Sequence, residues 1–375
     1  MAIDASLYFI ADAERLFSPS LVVFPELIER NIRHMIERAG GPDRLRPHVK
    51  THKMSEIVRM TERLGVRKHK CATIAEAEMV ARAGGPGSDI LISYPIVGPN
   101  VERLRKLVDL YPDRVFRTLV DHPEGLAGFS RVFNDPSRRL SILLDLEIGM
   151  GRTGIAPGET AVELYEALSR SRGLAADGLH AYDGQIKQSE PAARRIEATP
   201  GQTAALELRA RLVARGLPAP RLVIGGTPSF PIHATLDIDG LECSPGTTTL
   251  YDASYDARFP DLPFVPAALL WTRVVSKPRP GRVCLDLGHK AVAADPVGPR
   301  AALLGLPDAV AVIHSEEHLV VETAHADRMH IGQGLLAVPT HICPTCALHK
   351  RAYVIQSGVC AGEWDVDARD RQISV

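Results

Sequence analysis

The chain has 375 residues, with 44 Lys or Arg against 45 Asp or Glu, so its formal net charge is −1. This balance gives no positive excess for binding nucleic acid or an anionic membrane surface, and it favours a small-molecule partner. Hydrophobic residues make up 45% of the chain, which is enough to bury a sizeable core and excludes a disordered protein.

The first residues of the chain, its apolar runs and its cysteines together predict the cellular compartment. The first residues have no basic segment followed by an apolar one, so we predict no signal peptide. No apolar run approaches the length of a membrane span, and we predict none. Six cysteines in a chain of this length are not typical of a disulfide framework. These features predict a cytoplasmic protein.

Short strand-like runs alternate with amphipathic stretches from residue 20 to about residue 250. The predicted strands are, in chain order, LVVF, RPHVK, HKCAT, DILISY, VFRTLV, SILLDL, DGLHAY, RLVIGG and GLECSPG. The clearest predicted helices are Pro25–Ala39, residues 54–64 and Ile74–Ala83. Strands that alternate with helices indicate parallel β/α units, and this number of units predicts a (β/α)8 barrel.

After residue 262 the pattern changes to strands and turns. The segments LLWTRVVSKPRPGRVCLDLG, AVAVIHSEEHLVVETA and GLLAVPTHICPTCALHKRAYVIQSG show no convincing helix. We therefore predict a domain boundary near residue 262, with a mostly β domain beyond it.

Two Gly-Thr loops follow the last two predicted barrel strands. They contain Gly225, Gly226 and Thr227, and Gly246 and Thr247. Their N–H groups and hydroxyls can bind phosphate, although one such loop alone is more often a tight strand-to-helix turn. If LVVF lies outside the barrel, RPHVK is its first strand, with Lys50 near the carboxyl end where barrel chemistry gathers. A lysine together with two such loops suggests pyridoxal phosphate.

The segment RPHVKTHK, residues 46–53, resembles the Schiff-base segment of the D-threonine aldolase and D-serine dehydratase family. These enzymes are relatives of alanine racemase with the type III pyridoxal-phosphate fold. Supporting segments follow in family order: CATIAEAEMVARAG, ISYPIVGPN, LDLEIGMGRTG, GLHAYDGQ, VIGGTPS, ECSPGTTTLYD, SEEHLVVE and VPTHICPT. The resemblance covers nearly the whole chain. It implies an N-terminal segment (1–24) that joins the β domain, a cofactor-binding barrel (25–262) and a β domain with a metal site (263–375).

The resemblance implies that Lys50 forms the Schiff base with the cofactor. Such a lysine needs partial desolvation and neighbouring positive charge, which His48 and His52 can supply. We predict Lys50 and His52 as catalytic residues and His48 as a cofactor contact. Lys53 is the rival nucleophile, but on an extended strand residues 50 and 53 face opposite sides.

Further residues are implied in the same way. Arg152 matches the family arginine near the phenolic oxygen of the cofactor, and Tyr182 matches a tyrosine placed against the cofactor, where a flat apolar face is suitable. A surface arginine and a core tyrosine are the structural alternatives. Gln185 occupies a position where many D-threonine aldolases carry histidine. Because glutamine cannot act as a general base, the identity of that base stays open.

His341 and Cys343 form the candidate metal pair. Their spacing places both on one face of a predicted strand. Cys343 and Cys346 also form a C-x-x-C pair, which could be redox-active or half of a zinc ribbon, but no second pair follows at ribbon spacing. The resemblance implies that the H-x-C pair holds a divalent metal, zinc or manganese, and a thiolate ligand favours zinc. We assign no role to Cys346.

The sequence therefore predicts a pyridoxal-phosphate and metal-dependent lyase that cleaves D-β-hydroxy-α-amino acids to glycine and an aldehyde, as a D-threonine aldolase does. The alternative within the family is β-elimination of the D-serine dehydratase type. A non-catalytic pyridoxal-phosphate carrier and an amino-acid racemase are alternatives of other kinds. The expected partner is a small D-amino acid, and the resemblance implies a homodimer.

Overall fold

The computed structural model describes residues 3–375 and divides them into two compact units. The barrel unit consists of Met35–Lys50, Val58–Gly246 and Asp370–Val375. The sheet unit consists of the described residues up to His34 together with Thr51–Ile57 and Thr247–Arg369. Within the described residues, no helix is both long and apolar enough to cross a membrane.

Strands and helices alternate through the first two thirds of the chain, and strands dominate the last third. The strands are β1 (Ser20–Val23), β2 (Lys68–Cys71), β3 (Asp89–Pro95), β4 (Val115–Val120), β5 (Leu140–Leu146), β6 (Leu174–Ala181), β7 (Arg221–Ile224), β8 (Leu241–Cys243), β9 (Ala268–Ser276), β10 (Arg282–Leu285), β11 (Ala301–Leu303), β12 (Val310–His314), β13 (Leu319–Glu322), β14 (Gly334–Pro339), β15 (Arg351–Gln356) and β16 (Val359–Asp365). The helices are α1 (Pro25–Ala39), α2 (Ser55–Arg63), α3 (Ile74–Ala83), α4 (Pro99–Leu110), α5 (Pro123–Val132), α6 (Glu159–Arg170), α7 (Pro191–Ala214), α8 (Phe230–His233), α9 (Ala253–Arg258) and α10 (Ile342–Leu348).

The barrel unit contains a parallel sheet in which strands β2 to β8 follow one another in chain order. Isolated parallel bridges pair Leu45 with Cys243 and His48 with Lys70, so residues 45–49 lie between β8 and β2. This segment takes the place of an eighth strand, and the predicted barrel class is confirmed. RPHVK is nevertheless not a regular strand, because Pro47 has no N–H to donate and the chain turns at Val49.

A layer of paired charges fills part of the barrel interior. The side chain of Arg46 is fully buried: its Nε lies 2.6 Å from Glu242 Oε2 and its Nη1 lies 2.8 Å from Asp89 Oδ1. Asp89 also accepts a hydrogen bond from Arg117 Nε at 2.8 Å. Because β3 and β8 supply the two carboxylates, Arg46 fastens the segment that carries Lys50 to strands on both sides.

Local sequence signals place α3 directly after β2. Thr73 caps the helix by accepting a hydrogen bond from Glu76 N at 3.0 Å, and the Glu76 carboxylate accepts one from Ala72 N at 2.6 Å. This pair resembles the capping box expected from a Thr-x-x-Glu sequence, except that the glutamate accepts from the residue before the cap. It fixes the point at which β2 ends and therefore the position of the residues around Ala72.

The sheet unit contains a nine-stranded sheet, in which seven strands follow the order β12-β13-β10-β9-β1-β15-β16. Of the other two, β14 pairs with β9, and β11 pairs with β14. Strand β1 pairs in parallel with β15 and antiparallel with β9, so the N-terminal segment lies in this sheet. Its core includes Val22, Leu269, Trp271, Val338 and Ile355.

The division into units differs from the predicted boundaries. It falls after Gly246 rather than near residue 262, and Asp370–Val375 return to the barrel unit. Residues after Gly246 already hydrogen-bond to the sheet unit, since Ala267 N donates to Leu250 O at 2.6 Å.

The expectation that no helix follows residue 263 is wrong, because α10 forms at Ile342–Leu348. Pro344 does not prevent it, because a proline in the first helical turn removes no intrahelical hydrogen bond.

We predict that Arg46→Met destabilises the protein by about 3–5 kcal/mol, because the buried carboxylates of Asp89 and Glu242 lose their shared partner. Denaturant titration of the unfolding free energy measures the effect. Arg170→Met is the matched control, because Arg170 pairs with Glu166 at 2.7 Å on an exposed helix face. Such a pair is worth at most about 1 kcal/mol. Equal stability of the two variants would contradict the anchoring role of Arg46.

Candidate functional site

The barrel unit encloses a cavity of about 330 Å³ near the carboxyl ends of its strands, where the active sites of (β/α) barrels lie. The cavity is lined by His48, Lys50, Lys70, Ala72, Ser93, Tyr94, Pro95, Arg152, Thr153, His180 and Tyr182. Its volume is at the small end of the range for small-molecule sites. Three of the lining side chains are lysine or arginine and none is Asp or Glu, which favours an anionic ligand.

Four of the residues predicted from the sequence meet in this cavity: Lys50, His48, Arg152 and Tyr182. The guanidinium carbon of Arg152 lies 4.9 Å from the ring centroid of Tyr182, a cation–π contact. Lys50 N donates to Nδ1 of His48 at 3.3 Å, which orients the histidine beside the lysine. The structure thus brings these side chains together, while their roles toward a cofactor remain predictions.

Lys70 is a cavity residue to which the sequence analysis gave no role. Its side chain is buried, and its Nζ lies 5.5 Å from the ring centroid of Tyr182. Burial and the neighbouring charge of Lys50 lower the pKa of Lys70 to about 7. A signal was present in the sequence, because a lysine inside the short strand HKCAT is unusual unless it faces a polar cavity.

His180 and Asp145 form a second group that the sequence reasoning missed. Nδ1 of His180 lies 2.6 Å from Oδ1 of Asp145, and both residues are buried. Burial and the charge of Lys70 lower the pKa of His180, so the imidazole is neutral and donates its Nδ1 hydrogen to the carboxylate. Nε2 is then an acceptor, and it is buried with no hydrogen-bond partner in the described structure. Residues 180 and 182 alternate in the manner of a strand, which places both on one face.

The first Gly-Thr loop packs against the cavity through Tyr182. A Cβ atom on Gly226 would lie 3.2 Å from Cε2 of that ring, so glycine permits the close approach. Gly226 N donates to Ser229 Oγ at 3.0 Å, and Gly225 N donates to Ala181 O at 2.9 Å. These two N–H groups, predicted to bind phosphate, are therefore hydrogen-bonded within the protein.

A buried network supports this loop from behind. Ser229 Oγ donates to Asp183 Oδ1 at 2.7 Å, and the other carboxylate oxygen of Asp183 lies 2.7 Å from Nε2 of His233. In the second predicted loop, Gly246 N donates to Thr227 Oγ1 at 3.2 Å. A phosphate bound at these loops would have to replace such internal hydrogen bonds or use the remaining N–H groups and hydroxyls.

The candidate metal pair lies in the sheet unit. The prediction that His341 and Cys343 share a strand face is wrong: His341 directly precedes α10, and Cys343 belongs to its first turn. The two side chains nevertheless hydrogen-bond to each other. Asp295 Oδ2 lies 2.6 Å from Nδ1 of His341, and Thr51 Oγ1 lies 3.2 Å from Cys343 Sγ. Thr247, also in this unit, has its hydroxyl 3.9 Å from the same sulfur.

The electrostatics of the pair suit a cation. Burial alone would lower the pKa of His341, but the hydrogen bonds and charges of Cys343 and Asp295 outweigh it and raise the pKa to about 9. An environment that stabilises a proton on the imidazole also stabilises a metal ion there. With Nδ1 held by the carboxylate, Nε2 remains as the ligand atom, an arrangement common in metal sites. Over residues 3–375, no group of three or more His, Cys, Asp or Glu side chains is arranged to hold a metal.

Three other residues considered in the sequence lie differently. His52 belongs to the sheet unit, does not line the cavity, and accepts a hydrogen bond from Met54 N at 3.1 Å. Gln185 donates from Nε2 to Ile148 O at 3.1 Å. Cys346 is completely buried, and burial, followed by the charge of Cys343, raises the pKa of its thiol. That environment does not favour a redox or ligand role for Cys346.

Comparisons with known proteins agree with this architecture. Residues 25–248 match the family model "Alanine racemase, N-terminal domain", and residues 267–355 match "Putative serine dehydratase domain". The chain is 30% identical to a D-threonine aldolase of Arthrobacter sp. over 360 residues, covering 95% of this chain and 93% of the relative. It is 23% identical to the D-serine dehydratase of Dictyostelium discoideum over 387 residues, covering 92% of this chain and 95% of the relative.

A solved structure extends the similarity to the whole fold. The D-threonine aldolase from Filomicrobium marinum matches with a TM-score of 0.87 at 27% identity, covering 95% of this chain and 96% of that one. The chain therefore belongs to the alanine racemase-like family that includes the D-threonine aldolases and the D-serine dehydratases.

Proposed function

We propose that the protein is a lyase dependent on pyridoxal phosphate and a divalent metal, and that it cleaves D-β-hydroxy-α-amino acids to glycine and an aldehyde. The observation that carries the proposal is the cavity in which Lys50 lies with Arg152 and Tyr182. An identity of 30% to a D-threonine aldolase over 95% of the chain supports the aldolase outcome.

The cavity residues fit pyridoxal phosphate. The cofactor is a small, flat and anionic aldehyde, and the cavity offers an amine, further positive charge and the ring of Tyr182. The buried Nε2 of His180, which has no partner in the described structure, is a polar atom that a ligand can satisfy. When bound, pyridoxal phosphate supplies an electron sink for negative charge that develops at Cα of the substrate.

Each cavity residue has a separate task in this proposal. Lys50 Nζ would hold the cofactor through its aldehyde carbon and then, once the substrate amine replaces it, would be free to move protons. Arg152 would stabilise the phenolic oxygen with its guanidinium group, and Tyr182 would support the ring. His48, which accepts the hydrogen bond from Lys50 N, would fix the backbone of the lysine.

His341 and Cys343 would hold the metal ion, which would act as a Lewis acid on the β-hydroxyl of the substrate. Asp295 would keep His341 in the tautomer whose Nε2 faces the metal, because its carboxylate occupies Nδ1. Thr51, whose hydroxyl contacts Cys343 Sγ, is the residue that follows Lys50 in the chain. A soft thiolate ligand favours zinc over manganese.

Elimination by a D-serine dehydratase is the second candidate, favoured by the cysteine ligand and by the match of residues 267–355 to a serine dehydratase domain. Both reactions use the same groups and differ in the bond that breaks at Cα. Cleavage of Cα–Cβ gives glycine and an aldehyde, whereas removal of the Cα proton followed by loss of the β-hydroxyl gives a keto acid and ammonia. A pyridoxal-phosphate carrier would catalyse neither.

A product assay tests the proposed function. We expect D-threonine to give glycine and acetaldehyde in equal amounts, with little 2-oxobutanoate or ammonia, and D-serine to give little pyruvate. Mass spectrometry together with a coupled aldehyde assay measures the products. If keto acid and ammonia are the main products, the protein is a dehydratase and not an aldolase. If the protein binds cofactor stoichiometrically but turns over neither substrate, the result would support the non-catalytic pyridoxal-phosphate carrier.

The attachment residue can be tested directly. Borohydride reduction of the protein with its cofactor, followed by peptide mapping, is expected to find the pyridoxyl group on Lys50, because this lysine lines the cavity beside Arg152 and Tyr182. Lys50→Ala should abolish the labelling. Lys53→Ala is the control and should retain it, because Lys53 Nζ donates to Ala368 O at 3.4 Å in the sheet unit. Label on Lys53 or Lys70 would contradict the assignment.

Metal dependence gives another expected outcome. A chelator should abolish lyase activity and leave the cofactor absorbance intact, and added zinc should restore turnover better than manganese. Cys343→Ala should reproduce the chelator effect, whereas Cys346→Ala, which removes a fully buried thiol, should not. Asp295→Asn should lower metal affinity by about 10–100-fold, with activity recovered at high zinc concentration. An inactive Cys346→Ala beside an active Cys343→Ala would refute the H-x-C site.

A further inference from the structure

Lys70 carries a buried positive charge that nothing in the described structure compensates directly. Its exposed fraction is 3%, and over residues 3–375 its Nζ has no hydrogen bond and no ion pair, only the distant ring of Tyr182 at 5.5 Å. An ammonium group removed from water without an acceptor is costly. The low pKa of Lys70, about 7, expresses that cost, to which the nearby charge of Lys50 adds. An anion that enters the cavity would favour the protonated form of Lys70.

The nearby carboxylates do not take this role, because each is already engaged elsewhere. Asp145 lies 2.6 Å from Nδ1 of His180, and Asp183 lies 2.7 Å from Nε2 of His233. Neither forms an ion pair with Lys70 within the described residues. Lys70 faces the cavity instead, so the missing acceptor is a group of the ligand.

The reaction limits which anion this is. If the proposed function holds, the cofactor phosphate belongs to the Gly-Thr loops and its phenolic oxygen to Arg152. The anion that remains is the α-carboxylate of the amino acid. Val49 N donates to Lys70 O at 2.9 Å, so the backbone of Lys70 pairs with the residue before Lys50. The substrate amine replaces Lys50 on the cofactor, and the carboxylate is attached one carbon away from that amine.

We infer that Lys70 binds the α-carboxylate of the substrate and thereby selects amino acids over neutral amines of the same shape. This assignment rests on the proposed function, because it assumes that the amine of a D-amino acid reacts at the position of Lys50. It adds a substrate-binding residue on β2 to the groups already described.

The test compares two ligands of nearly the same shape, D-alanine with its carboxylate and D-alaninamide with an uncharged carboxamide in its place. Neither has a β-hydroxyl, so neither can be cleaved or dehydrated, and the change in cofactor absorbance on titration gives each Kd. The protein with its cofactor is used as wild type, Lys70→Met, Lys70→Arg and Lys106→Met. Methionine replaces the buried ammonium by an apolar chain of similar length, so we expect the fold to survive. Lys106 is an exposed residue of α4 and controls for the loss of a lysine.

We expect Lys70→Met to raise the Kd of D-alanine by about 10–100-fold, the loss typical of a hydrogen bond to a charged group. The Kd of D-alaninamide should change less than about threefold. Lys70→Arg should keep most of the preference for D-alanine, and Lys106→Met should match the wild type. Cofactor content and the melting temperature are measured for every variant first.

Four results would overturn the assignment. Equal weakening of both ligands, or no weakening of either, would show that Lys70 does not recognise the carboxylate. Loss of cofactor from a folded Lys70→Met would show that Lys70 binds the cofactor instead, and the proposed function would stand. A wild-type protein that binds cofactor but responds to neither ligand would overturn the proposed function together with this assignment.

Discussion

The ion pairs of Arg46 are the interaction on which the rest of the site depends. Residues 45–49 close the barrel through isolated bridges, with backbone hydrogen bonds from Arg46 N to Cys243 O on one side and from Val49 N to Lys70 O on the other. The buried guanidinium, paired with Asp89 on one side and Glu242 on the other, adds a side-chain anchor four residues before Lys50. A buried ion pair gains little net stability over an apolar packing, but it has a unique geometry and is costly to break. It is therefore suited to positioning a reactive lysine.

The two units provide opposite electrostatic environments. The barrel cavity collects Lys50, Lys70 and Arg152 without a lining carboxylate, and it suits anions. The sheet unit places His341 between a carboxylate and a thiol, and it suits a cation. An enzyme that binds an anionic cofactor and a metal needs both environments, and each is stabilised within its own unit. This separation is why we expect metal removal to spare cofactor binding.

The position of Lys50 near the end of a predicted barrel strand, together with the resemblance to a known family, which supplied Arg152 and Tyr182, brought three residues of one cavity to attention. Their roles toward a cofactor stay predictions. The pairing of His180 with Asp145 was not predictable in this way, because the two residues are 35 positions apart and no local spacing connects them. The partners of the Gly-Thr loops were also not predicted, because the pattern does not show which hydroxyl accepts from which N–H group. Ser229 and Thr227 occupy N–H groups that the sequence pattern alone leaves open.

If the proposed function holds, the choice between aldolase and dehydratase would be set by how the substrate is oriented at Cα. The bond that breaks is the one that lies perpendicular to the plane of the cofactor ring, so any group that fixes the carboxylate also fixes the candidate bonds. In the proposed function, Lys70 would hold the carboxylate. Each reaction also needs a proton acceptor, and Lys50, once the substrate amine has replaced it on the cofactor, would be available for that role. That is consistent with Gln185, whose amide donates to Ile148 O and cannot take a proton.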